Sequence, residues 1–116
     1  MNNVTLIGNL ATDVELREVG EGKQLATFLL AVDRLGQDKG ADFLRIAVWD
    51  RQAEICGQYL AKGKRVALDG RLRSRSWEDS DGKRRSAVEV VANRVQFLSP
   101  REGDPTETPF EPAAAG

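Results

Sequence analysis

Residues 71–77 read RLRSRSW, an alternation that places three arginines and a tryptophan on one face of a predicted strand. Successive side chains of a β-strand point to opposite faces, so every second residue shares a side. Leu72 points to the other side, in phase with Val66 and Leu68, which mark the buried side. Guanidiniums bind phosphates and indole rings stack on flat bases, so this row is typical of a surface for single-stranded nucleic acid. Its members are Arg71, Arg73, Arg75 and Trp77.

A second clean alternation, ADFLRIAVW, covers residues 41–49. One of its faces is apolar throughout, and the other carries two aromatic rings and an arginine. A single outward ring more often packs against a loop or another subunit, whereas three rings in phase with arginines favour base stacking. The outward set is Phe43, Arg45, Ala47 and Trp49, and the apolar set is Leu44, Ile46 and Val48.

The charge of the chain is unevenly distributed along its 116 residues. The net charge of −1 averages residues 1–99, with 16 basic and 14 acidic side chains, and residues 100–116, with one basic and four acidic. Residues 62–85 alone hold nine basic and four acidic side chains. A phosphate backbone responds to this local surplus rather than to the charge of the whole chain.

Several classes of chemistry lack the residues they need. The sequence contains no histidine and one cysteine, which excludes histidine-dependent triads, a disulfide framework and most zinc sites. Cys56 falls on the inner face of a predicted helix and is expected to be buried and inert. We expect no enzyme activity, no metal and no cofactor. No apolar run approaches the ~20 residues of a membrane span, and residues 1–3 lead directly into a strand pattern, so we expect a cytoplasmic protein without a signal peptide.

The order of elements predicts an all-β fold. A helix over 50–63, with Asp50 as its N-cap, separates the third and fourth of five predicted strands. The last strand changes phase near Val90 and Val91, which predicts a bulge or burial of both faces by a neighbouring chain. This order is that of a five-stranded OB-fold barrel with one short helix. The domain is expected over residues 1–99 and a short disordered acidic tail over 100–116; the strands are expected at 4–10, 25–34, 41–49, 64–77 and 86–98.

The chain resembles the bacterial single-stranded DNA-binding protein family over about residues 3–98. The resemblance rests on NNVTLIGNLATDVELR, TFLLAVDR, FLRIAVWDRQAEICGQYLAKGKRVALDGRLRSRSW and EVVANRVQFL, above all on GNL, YLAKG and the G-x-L-R-x-R-x-W strand. It implies an OB-fold homotetramer that binds and protects single-stranded DNA, without sequence preference, in replication, recombination and repair.

The resemblance also implies which aromatic residues contact the single-stranded DNA. Phe43, Trp49 and Trp77 match the family's stacking rings, although the family often has Trp at the first position and Phe at the second. The family commonly has a further ring beyond LAVDR, where this chain has Leu35 and Gly36, so one stacking position is missing. From their positions rather than from the resemblance, six cations in or beside outward strand positions, or at the turn after the helix, are expected to contact phosphates: Arg17, Arg45, Lys62, Arg71, Arg73 and Arg75.

The end of the chain departs from the family pattern. The family usually ends in an acidic tip that finishes in Pro-Phe and docks onto replication and repair proteins. Here DPTETPF is followed by six more residues, so we expect weak partner binding at most. The candidate partner-binding residues are Asp104, Glu107, Pro109 and Phe110.

Two alternatives remain open from the sequence. A primosome-type accessory OB protein would act mainly through protein contacts, and the three outward rings with the arginine strand argue against it. A nuclease on an OB scaffold would need clustered carboxylates for a metal or a general base. The acids lie mostly in turns, at Glu18, Glu21, Glu78, Asp79 and Asp81, without a convergent pair.

Overall fold

The computed structural model describes residues 1–36 and 40–98, and it consists mostly of β-strands with one helix. The predicted OB fold is confirmed, including the single short helix after the Ala41–Trp49 strand. A short strand that the sequence did not reveal precedes the second predicted one. The elements are β1 Val4–Leu10, β2 Glu15–Val19, β3 Lys23–Asp33, β4 Ala41–Trp49, α1 Asp50–Tyr59, β5 Arg65–Glu78 and β6 Arg84–Phe97.

The strands form one sheet in the order β1-β5-β6-β4-β3-β2. Strand β1 also pairs with β3, through Asn9 with Ala31 and Leu10 with Leu30, so five of the strands form a ring. All pairings are antiparallel except β4 with β6, which run parallel. This parallel pair places residues that lie far apart in sequence side by side at the centre of the sheet.

Strand β2 was not predicted from alternation of apolar and polar residues, because nearly all of its side chains are exposed. Pairing with β3 defines this strand, with Arg17 opposite Leu25. The turn that connects the two strands has Gly20 and Gly22 at positive φ. Glycine adopts this backbone conformation without the steric cost of a side chain. The structure thus places Arg17 on a strand at the margin of the sheet.

Two glycines allow neighbouring strands to approach closely. A Cβ on Gly8 would lie 2.3 Å from the carbonyl oxygen of Ala31, and one on Gly70 would lie 2.1 Å from that of Val91. Gly70 lies beside a register shift in the pairing of β5 with β6, which leaves Asn93 as the extra residue. Of the two alternatives that the phase change near Val90 and Val91 left open, the structure shows the bulge, at Asn93.

The core lies inside the ring and under α1. Ala53 and Cys56 of the helix are buried against it, and the predicted burial of Cys56 is confirmed. Asp50 is not the N-cap, which corrects the sequence interpretation: Trp49 occupies that position without a side-chain cap, and Asp50 has a φ of 63°. The helix ends where the Leu60 N–H donates to the Cys56 carbonyl oxygen, before Gly63 at positive φ.

The outer halves of β5 and β6 extend beyond the core as a long hairpin. Leu72 keeps the phase of Val66 and Leu68 but is 46% exposed, so its expected burial is wrong. Val90 and Val91 are both buried within this one chain, one on each face of β6. Among residues 1–36 and 40–98, no helix is long and apolar enough to cross a membrane.

Candidate nucleic-acid interface

Cross-strand register brings the outward residues of three strands onto one surface. Residues that oppose each other in a sheet project from the same face. Ala47 of β4 pairs with Val91 of β6, and Val91 pairs with Arg71 of β5. One step along this surface, Arg45 and Arg73 lie on either side of Glu89. We call the outer surface of β4, β6 and β5 the arginine face; its arginines are Arg45, Arg71, Arg73 and Arg75.

Glu89 connects two arginines of this face. Arg45 donates from Nε to Oε1 at 3.2 Å, and Arg73 donates from Nη2 to Oε2 at 2.5 Å. The Glu89 side chain is only 4% exposed, whereas the two arginines are 39% and 43% exposed. Each carboxylate oxygen has a charged donor, as a buried carboxylate requires. The outward ends of both guanidiniums remain accessible.

Glu89 was not among the residues predicted from the sequence. Its residue type suggested nothing about nucleic acid, since a carboxylate repels phosphate. The one available signal was the alternation of β6, in which Ala87, Glu89 and Val91 occupy the phase opposite to Val88 and Val90. Only the parallel pairing with β4 shows that this glutamate lies between two arginines.

At the hairpin end of the arginine face, Trp77 lies beside Arg75. The central carbon of the Arg75 guanidinium is 4.7 Å from the centroid of the indole ring, which is a cation–π contact. Trp77 remains 39% exposed. Arg85 of β6 lies directly opposite Trp77 in register. Phe43, on β4, is 61% exposed and lies on the same side of the Glu89 row as Arg75.

Trp49 lies at the other end of β4. It is six positions along the strand from Phe43, which corresponds to about 20 Å. It is half-buried and pairs with Leu25, whose other neighbour across the sheet is Arg17. The three predicted rings therefore share one face of the sheet without touching, two toward the hairpin and one at the opposite end, with arginines between them.

The tip of the β5–β6 hairpin is held by Asp79. Its carboxylate accepts from Arg85 Nε at 2.8 Å and from the backbone N–H groups of Asp81 and Lys83. The Arg85 hydrogen bond is the main cause that lowers the pKa of Asp79, with the backbone donors adding to it. The tip therefore has a defined shape in the free chain, although it is strongly charged.

The remaining predicted residues lie apart from this surface or outside the described residues. Lys62 follows α1, is exposed, and its backbone N–H donates to Asp13 Oδ1; it is on none of the strands of the arginine face. Leu35, at the site of the missing family ring, is almost fully exposed. The predicted tail with Asp104, Glu107, Pro109 and Phe110 lies outside the described residues, as do residues 37–39 of the hairpin loop.

No group of three or more His, Cys, Asp or Glu side chains within the described ranges is arranged to hold a metal ion. Burial raises the pKa of the Cys56 thiol to about 11, so it is not a thiolate nucleophile near neutral pH. Among the described residues, planar cations and aromatic rings are concentrated on the arginine face, with the arginines between the rings.

An OB-fold sheet that carries guanidiniums between aromatic rings on its outer face defines a class of nucleic-acid-binding proteins suited to single strands. The model of the single-strand binding protein family matches residues 1–98, and the chain belongs to this family.

Individual relatives agree with the family match. The chain is 46% identical over 105 residues to single-stranded DNA-binding protein 2 of Listeria innocua, a match that covers 87% of this chain and 66% of the relative. It is 45% identical over 107 residues to the single-stranded DNA-binding protein of Bacillus cereus, covering 89% and 63%. The corresponding protein of Clostridium tetani is 47% identical over 102 residues, covering 84% and 70%. The chain thus spans less than two thirds of the length of the first two relatives.

Proposed function

We propose that this chain binds single-stranded DNA without reading its sequence and protects it during replication, recombination and repair. One observation carries the proposal: cross-strand register puts Phe43, Trp49 and Trp77 on the same face of the sheet as the four arginines of the arginine face. Aromatic rings accept any base, and guanidiniums bind phosphates, which are the same in every sequence. Family membership supports this function over that of a primosome-type accessory protein.

In this proposal, the arginines bind consecutive phosphates and the rings stack on unpaired bases. Duplex DNA offers the phosphates but hides the faces of its bases, so it loses the stacking contribution. We therefore expect strong preference for single strands and little preference among sequences. Arg17 and Lys62 are proposed as further phosphate contacts at the margins.

Tryptophan fluorescence tests the proposal. Titration with oligo-dT is expected to quench the emission, and Trp77→Ala is expected to weaken binding by about 1–3 kcal/mol. Tyr59→Leu is a matched control, because Tyr59 is also exposed but lies on α1 against Phe97. An unquenched wild type, or equal affinity for a duplex of the same length, would contradict the proposal.

The salt dependence of the same titration tests the phosphate contacts. If about four to six phosphates are neutralised per chain, the logarithm of the binding constant is expected to fall against the logarithm of salt concentration with a slope of roughly −3 to −4. A slope near zero would show that the arginines do not bind phosphate.

We further propose that the chain works as a cytoplasmic homotetramer. The outward phase of β1 supports self-association, because Ile7 is 47% exposed there beside Ala67 of β5. Light scattering tests the assembly: the expected mass is four times that of the 12.8 kDa chain. A dimer or a monomer would contradict it. Any binding of replication or repair proteins through residues 104–110 is expected to be weak.

A further inference from the structure

We propose that Glu89 is a positioning residue for single-stranded DNA: it holds Arg45 and Arg73 in the orientation in which both bind the phosphates of one strand. This inference rests on the proposed function and deepens it. Glu89 is placed between the two arginines by the parallel pairing of β4 with β6, and it contacts both guanidiniums through separate oxygens.

A carboxylate at this position needs an explanation. It lies at the centre of a face that is proposed to attract phosphates, where its charge opposes binding. Its neighbours in the same phase of β6 are Ala87 and Val91, so an apolar side chain would suit the strand equally well. Burying a charge costs free energy unless it is fully paired, and the structure pairs it twice. We infer that Glu89 has a role that offsets both the repulsion of phosphate and the cost of burying its charge, and that this role involves the two arginines it contacts.

The geometry of the hydrogen bonds indicates that role. Arg45 uses only its Nε and Arg73 only one Nη2 hydrogen, so each guanidinium keeps four N–H donors. Among the described residues, neither arginine has another hydrogen-bond partner. The two arginine side chains are 39% and 43% exposed although Glu89 is buried, so we infer that remaining donors can reach a phosphate. The carboxylate thus anchors both side chains without covering the groups that would bind phosphate.

Anchoring favours binding through entropy and through charge. Free arginine side chains sample many rotamers, and binding a phosphate would have to restrict each of them. The guanidiniums of Arg45 and Arg73, which lie on either side of β6, also repel each other unless an anion lies between them. Glu89 removes both costs before DNA arrives, so its loss is expected to weaken binding even though the net positive charge rises.

Net charge alone predicts that loss of Glu89 strengthens DNA binding, whereas the positioning role predicts that it weakens binding. The direction of the change in affinity therefore tests the role. Glu89→Gln keeps the size of the side chain and removes one negative charge. We expect it to bind oligo-dT about tenfold more weakly, or about 1.4 kcal/mol. The weakening should persist at high salt, where long-range charge effects are screened.

Asp69→Asn is the matched control. Asp69 is an outward residue of the same strand as Arg73 and pairs with Arg94 at 3.3 Å, so the substitution makes the same charge change without touching Arg45 or Arg73. Its affinity is expected to be unchanged or slightly higher. Unfolding in urea, measured for each variant, gives the fraction folded, so that a loss of stability is not read as a loss of affinity.

A double-mutant cycle tests whether Glu89 acts through the arginines. In an Arg73→Ala background, the effect of Glu89→Gln is expected to fall from about tenfold to about threefold, because only Arg45 remains to be positioned. If Glu89→Gln does not fold, Glu89→Asp provides the test, since it keeps the charge but cannot reach both arginines. It is expected to bind about threefold more weakly than wild type.

The outcomes separate the inference from the proposed function. A wild type that fails to bind oligo-dT overturns the function itself. A wild type that binds, with Glu89→Gln binding as tightly or more tightly, overturns only the positioning role. A tenfold effect that is undiminished by Arg73→Ala overturns it as well. If Glu89→Asp binds with the same affinity as wild type, the positioning role is overturned as well.

Discussion

The guanidinium of Arg75 lies over the indole of Trp77, with its central carbon 4.7 Å from the ring centroid. The two residues are two positions apart on β5 and therefore share a face. Arg75 occupies part of the ring surface that a base would use, so a base must stack on what remains exposed or on the guanidinium itself. Arginine suits both arrangements because its planar cation stacks on rings and bases alike.

The Arg75–Trp77 contact predicts a spectroscopic change in the protein without DNA. Arg75→Ala removes the cover from the indole, so the fluorescence maximum of Trp77 is expected to shift to longer wavelength as water reaches the ring. Arg71→Ala is the control, since it removes the same charge from the same strand at a position away from the ring. Equal spectra for the two variants would show that Arg75 does not shield Trp77 in solution.

The two glycines at close strand approaches predict a loss of stability on substitution. In Gly8→Ala and Gly70→Ala, the new Cβ would lie 2.3 Å and 2.1 Å from carbonyl oxygens of the facing strands. Because backbone atoms cannot move aside cheaply, each change is expected to destabilise the fold by about 1–3 kcal/mol. The measurement is the free energy of unfolding in urea. Gly40→Ala is the control, since nothing lies within 4 Å of its Cβ position, and equal losses at all three positions would refute the steric argument.

Asp50 predicts a different response, because it is the non-glycine residue with positive φ among those described, at 63°. Aspartate tolerates this conformation better than most residues, whereas β-branched side chains do not. Asp50→Gly is expected to keep or slightly raise the free energy of unfolding, and Asp50→Val to lower it by about 1–2 kcal/mol. A more stable valine variant would show that the backbone at the β4–α1 junction is not left-handed in solution.

Cys56 predicts a dependence of stability on alkaline pH. Desolvation by burial raises the pKa of its thiol to about 11 from an ordinary value of 9.0. The unfolded chain therefore ionises first, so the contribution of Cys56 to stability is intact below pH 9 and is lost as the pH rises to 11. Urea unfolding across this range should show the loss in wild type and less of it in Cys56→Ala. Native Cys56 should also react slowly with a thiol reagent at pH 8, and rapid labelling of the folded protein would contradict its burial.

The sequence alone determined the local features of this protein. Alternation with a period of two depends only on the chain itself, so the bounds of β1 and β4 and the outward phase of Phe43 and Arg45 were predictable. The phase change in β6 was visible too, but it left a bulge and burial by a neighbouring chain as alternatives. Helical spacing identified the buried side of α1 for the same reason. The family-specific motifs then identified the OB fold, because few folds combine this order of elements with those segments.

Tertiary structure decided what depends on contacts between distant segments. Leu72 has the phase of a core residue but is exposed, because the core ends before the β5–β6 hairpin does. Strand β2 exists because β3 pairs with it, although its own side chains are largely exposed. The position of Glu89 between Arg45 and Arg73 arises from a parallel pairing across 44 residues of sequence. A local pattern gives the direction in which a side chain points, but only the register of the assembled sheet determines which side chains it meets.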